Sequence, residues 1–192
     1  MLETSLTRRL DEVAPEVDAY RRRWGYGEGS RVTAEQLDQL EARLGLPLPE
    51  EYRAFLIRFG TGGFDLLTPE RVLHKSQCDY GGWNHVTLPF ALADGHGLSC
   101  CRDDQLLNGT VVITEGGCAF YTVLAVTSVS AGTVWCNDYA PPGSDDEFCW
   151  APPGLPQSDP VPPLGFLSWI EQILTRRATG RPRLWFLPRW LR

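Results

Sequence analysis

The sequence predicts an α+β domain in which a central, mostly antiparallel β-sheet is flanked by helices. Three stretches carry that expectation. Residues 33–63, TAEQLDQLEARLGLPLPEEYRAFLIRFGTGG, have the spacing of two amphipathic helices joined by a short turn. Residues 110–137 hold three β-branched, apolar runs with turn-length connections. Residues 165–177, GFLSWIEQILTRR, return to helical spacing and offer a face to close over the sheet.

The chain opens with Leu6, Leu10, Val13, Val17, Tyr20 and Trp24 at steps of three and four, a helix with a kink or restart expected at Pro15. Arg21, Arg22 and Arg23 follow in its last turn, where positive charge complements the helix dipole; a solvated turn is expected there. Glycines 25, 27 and 29 break the chain. In the paired helices, Thr33 and Gln36 have capping-box spacing, and Leu37, Leu40 and Leu44 share a face. Gly45 suits the left-handed stop, and Pro49 a first helical position where a missing amide costs nothing. Tyr52, Phe55, Leu56 and Phe59 form the second stripe before Gly60, Gly62 and Gly63 end it.

Beyond this the period changes. FDLLTPE reads as a short extended piece ending in a Pro turn, and residues 69–85 as irregular. VTLPFAL (86–92) contains Pro89, so an edge strand or loop is expected. A turn at Asp94-Gly95 precedes a short strand around Leu98–Cys101. TVVIT (110–114), AFYTVLAV (119–126) and TVWCN (133–137) suit an antiparallel meander, with Glu115 an exposed acid in a turn. In the middle strand Phe120, Thr122, Leu124 and Val126 share one face and Tyr121, Val123 and Ala125 the other; helices must cover one of them. Residues 138–164 hold eight prolines and read as one long irregular loop carrying Tyr139, Phe148 and Trp150 beside five acids. Phe166, Trp169, Ile170, Ile173 and Leu174 make the closing helix. The tail RLWFLPRWLR mixes Arg, Trp and Leu; a strap onto the core is preferred over membrane or nucleic-acid binding because Pro188 interrupts any long amphipathic helix.

Length suits one domain at residues 31–176, with an N-terminal helical extension at 1–30 and an Arg/Trp-rich tail at 177–192. Neither an eighteen-residue apolar run nor a secretory signal is present, so no membrane span and a cytoplasmic location are expected. The six cysteines (78, 100, 101, 118, 136 and 149) include no C-x-x-C pair, and no histidine stands at ligand spacing from one. Small buried hydrophobes explain them better than disulfides or zinc. Asp94, His96, Asp103 and Asp104 are read as turn carboxylates beside a solvated histidine. There is no phosphate loop, G-x-S-x-G or H-E-x-x-H, and Gly60–Gly63 follow a helix rather than precede one. The expectation is no enzyme, no catalytic residue, no metal and no cofactor. A cysteine hydrolase built on Cys118 or Cys136 is the weakest reading, for want of a local base.

Charge is segregated along the chain. Residues 1–102 hold twelve basic and fifteen acidic side chains, 103–175 hold nine acids and no Lys or Arg, and 176–192 hold six arginines and no acid. Such a pattern speaks to partners rather than fold.

Three of these stretches, LGLPLPEEYRAFLIRFGTGG, GCAFYTVLAVTSVSAGTVW and FLSWIEQIL, together resemble the SUKH superfamily, bacterial immunity-type proteins related to fungal cell-wall-assembly regulators. Gly45, Pro47 and Pro49, then Gly117, Cys118, Phe120, Tyr121, Gly132 and Trp135, then Phe166 and Trp169 stand in the family's order. Ala119, Ser128 and Ile173 depart from it, and bear on subfamily and partner rather than fold. The resemblance implies an antidote that binds a cognate toxin protein, such as a basic nuclease domain, without contacting nucleic acid itself. On that implication the contact surface is expected at Asp138, Tyr139, Asp145, Asp146, Glu147 and Trp150, acids to oppose a basic cleft and aromatics to anchor it. The alternative is an intracellular interaction or scaffold module with no toxin.

Overall fold

The computed structural model describes residues 2–77, 85–90, 92, 107–117, 120–139, 149–151 and 163–178. Among these residues the fold is α+β: five helices against an antiparallel sheet. The elements are α1 (Leu2–Trp24), α2 (Ala34–Leu44), α3 (Glu50–Phe59), α4 (Pro69–Gln77), β1 (Thr110–Gly117), β2 (Phe120–Ala125), β3 (Thr133–Tyr139), β4 (Cys149–Ala151), β5 (Leu164–Gly165) and α5 (Phe166–Ala178).

Helix α1 runs unbroken through Pro15. A proline inside a helix costs about 3 kcal/mol, and here Leu10, Val13, Val17 and Tyr20 are buried on both sides of it, which outweighs that cost. Helix α2 has the expected capping box: Gln36 N donates to Thr33 Oγ1 at 3.3 Å and Thr33 N to Gln36 Oε1 at 2.9 Å. Gly45 ends α2 in the left-handed conformation, φ 80°. Tyr52, Phe55, Phe64, Phe166 and Tyr20 form a chain of ring contacts, with neighbouring centroids 5.0–5.6 Å apart, that joins α1, α3 and α5 in one core. Glu51 fixes the same three helices from outside. It pairs with Arg9 of α1 and accepts from Leu167 N at the start of α5 at 3.0 Å, while Arg9 also reaches Glu171 of α5 at 3.0 Å.

The sheet order is β1-β2-β3-β4, with β5 on the same side of β3 as β4 but paired to its beginning. Directly opposed residues share a face, so Val111, Leu124 and Val134 form a row on one side and Val112, Val123 and Trp135 a row on the other. All six are buried. The sheet is therefore covered on both faces, not one. On the Trp135 side, part of the cover is Phe90, whose ring meets the indole edge-on at 5.3 Å.

Four expectations are corrected. Residues 69–77, read as irregular, form α4: Pro69 occupies its first turn, Val72 N donates to Thr68 O, and Val72, Leu73 and Ser76 face inward. A nine-residue helix with one polar inward position leaves too short a stripe for periodicity to reveal. Strand β1 continues through Glu115, so that acid lies in a ladder and not in a turn. Residues 138–164 are interrupted by β4 and β5, and β3 runs two residues further than expected. Residues 133–139, 149–151 and 164–165 contain no proline; proline forbids a ladder only where it stands, not across the whole stretch. Arg21, read as solvated, is buried. The 85–90 segment is a turn and loop, one of the two forms expected. The strand expected near Leu98–Cys101, the group Asp94, His96, Asp103 and Asp104, and the tail beyond Ala178 lie outside the described residues.

Candidate interaction surface

The expected contact residues fall on and between two paired strands. Asp138 and Tyr139 end β3, and Trp150 lies in β4. The register pairs Cys136 with Ala151 and Tyr139 with Cys149, with an irregularity between, so the backbone brings 138–139 beside 149–150. Asp145, Asp146 and Glu147 belong to the 140–148 connection, which lies outside the described residues. Three of the six positions are thus brought together by strand pairing, a juxtaposition that the loop reading had not foreseen.

Among the described residues, two acids of the 103–175 stretch, Glu115 and Glu171, are matched by cations from earlier in the chain. Glu115 of β1 accepts from Arg71 Nη2 and Lys75 Nζ, each at 2.9 Å. Arg71 and Lys75 stand one helical turn apart on α4, so both side chains reach the same carboxylate. The Lys75 hydrogen bond, aided by the charges of Lys75 and Arg71, holds the Glu115 carboxyl below its ordinary pKa. Glu171 is matched by Arg9. The i, i+4 spacing of Arg71 and Lys75 was the available signal for the first pairing, hidden while 69–77 was read as irregular.

Local packing explains the remaining chemically interesting groups. Cys136 is buried in β3, its Sγ 3.5 Å from Thr122 Oγ1 on the facing strand. Among the described residues no group of three or more His, Cys, Asp or Glu is placed to hold a metal ion, and no helix is long and apolar enough to cross a membrane. Arg21 donates to Phe59 O at 2.5 Å and to Gly62 O from both Nη2 (2.9 Å) and Nε (3.1 Å), satisfying carbonyls at the end of α3. Arg22 and Arg23 are exposed.

An antiparallel sheet closed on both faces, with a paired-helix motif before it and a closing helix after it, defines an α+β domain. The chain belongs to the SMI1 / KNR4 family (SUKH-1), whose family model matches residues 31–161. The matched stretch runs from α2 to β4; α1 and α5 lie beyond it yet contribute to the same core. No curated protein and no solved structure matches the chain.

Proposed function

We propose that this chain is an immunity protein that binds a cognate toxin and blocks a basic active-site cleft, without catalysing a reaction or holding a cofactor. Family membership supports a protein partner of this kind. The observation that carries the reading is the distribution of charge once Glu115 and Glu171 are matched within the fold. Of the seven other acids in the stretch without Lys or Arg, five, Asp138, Asp145, Asp146, Glu147 and Asp159, fall within residues 138–159. Acids in that number accelerate encounter with a basic partner, and aromatics at 139 and 150 supply the anchors that carry affinity. The working unit acts in the cytoplasm and is the domain at 31–176 together with α1, which shares its core, with residues 177–192 as an addition to it.

The test is co-expression with the product of the adjacent open reading frame, scored by cell survival. The account expects rescue by the wild-type chain and weakened rescue when Asp138, Asp145, Asp146 and Glu147 are changed together to Asn or Gln. Equal rescue by the two would remove this surface from the mechanism. A neighbouring product that is harmless on its own would favour an interaction module without a toxin.

A further inference from the structure

Toward the Tyr139 end of β3, the register of the sheet sorts its residues by face. Thr114, Thr122, Cys136 and Ala151 stand opposite one another across β1, β2, β3 and β4. The first three are at most 3% exposed, so this face is closed. One step further along, Glu115 is paired with Tyr121 on the other face. Both are half-buried, and Glu115 accepts there from Arg71, which is exposed. That face is open. The Lys75 ammonium lies 5.9 Å from the centre of the Tyr121 ring and is itself held by Glu115, so the ring is fixed in place.

Strand β3 then carries one residue more than β4. Cys136 pairs with Ala151 and Tyr139 with Cys149, which leaves Asn137 and Asp138 together opposite Trp150. Cys149 and Ala151 are two apart and share the closed face, so the register sets Tyr139 on the closed face too. Asp138 and Trp150 fall at one register position on the open face, next to Tyr121 across the sheet. Without the extra residue the alternation would be reversed: Asp138 would share the face of Cys136, and Tyr139 that of Trp150. We propose that the toxin is gripped on the open face, with Tyr121 and Trp150 as aromatic anchors on the strands either side of Asp138. Tyr139 belongs to the scaffold. The inference rests on the immunity reading above and narrows it: Trp150 stays an anchor, and Tyr121 takes the place of Tyr139. Negative potential draws the basic partner in, and rings already fixed by the fold hold it.

Binding to the product of the adjacent open reading frame, followed by surface plasmon resonance, tests the assignment. Trp150→Ala and Tyr121→Ala should each weaken binding by about tenfold or more, chiefly through faster dissociation. Tyr139→Leu should leave Kd at the wild-type value, whatever it does to the urea midpoint. Trp150→Leu and Tyr121→Leu, which keep more of the bulk, should show the same order where an alanine variant folds poorly. A Tyr139 variant that weakens binding as much as the Trp150 one overturns the assignment. So do Tyr121 and Trp150 variants that bind like wild type while neutralising the four acids still weakens binding; the immunity reading then survives. If neutralising the acids is silent as well, or the wild-type chain does not bind the product, both fall.

Discussion

Arg21 is one of three consecutive arginines, and the helix turns only that one inward. It follows Val17 by four residues, in phase with the buried stripe, and its guanidinium closes on the carbonyls of Phe59 and Gly62. Burial lowers its pKa, opposed by the charges of Asp18 and Glu28, yet a guanidinium remains charged throughout the working range. Arg21→Met keeps the stem and leaves those carbonyls without this donor, so unfolding in urea should show a loss of about 3 kcal/mol. Changes at Arg22 or Arg23, which are exposed, should move the midpoint little. Tyr52 is the opposite case. Its ring meets Phe166 edge-on, its hydroxyl is buried with no hydrogen-bond partner among the described residues, and burial pushes its pKa up. Tyr52→Phe removes a desolvated polar atom, so it should be neutral or stabilising by up to about 1 kcal/mol. A clear loss would mean the hydroxyl is bonded in solution. The phase of Arg21 was readable from sequence, since Val17 marks it; the isolation of the Tyr52 hydroxyl was not, because it depends on rings brought from α5.

At the level of elements, α4 and the 66–67 segment explain how the β1 edge is kept from pairing with other chains. Ser76 Oγ accepts from Val112 N at 3.0 Å, Leu67 N donates to Ile113 O at 2.9 Å, and Leu66 bridges Thr114. These contacts fall where β1 is irregular, between Val112 and Thr114. The Glu115 cluster closes the same junction. Because its pKa is depressed in the fold, Glu115 contributes stability that is complete above the ordinary carboxylate pKa and fades as pH falls through the lowered value. Glu115→Gln should therefore cost about 0.5 kcal/mol at neutral pH, and its urea midpoint should converge on that of wild type in acid. A gap that persists in acid would assign the cost to packing instead. Helices α2, α3 and α5 were legible because each repeats its apolar positions over two turns or more with a clear stop or cap. Helix α4 and strands β4 and β5 were not, since two to nine residues carry too few positions to establish a period.

For the molecule as a whole, the sequence revealed the class of the fold and the segregation of charge, but not how the fold would redistribute that charge. Glu115 and Glu171 belong to the acidic stretch by position and to the scaffold by contact, because α4 and α1 bring cations to them. That sorting sharpens the proposed surface to the segment that leaves β3 at Asp138 and returns at β4. The pairing of 138–139 with 149–150 could not be read from a stretch dense in proline, since it depends on which short pieces escape that residue.

The rate of association with the cognate toxin as a function of ionic strength tests the central claim most directly. For the wild-type chain the rate should fall steeply as salt rises. With Asp138, Asp145, Asp146 and Glu147 neutralised together, it should start lower and hardly depend on salt. Equal rates and equal salt slopes for the two proteins would contradict the claim that negative potential at this segment guides the encounter.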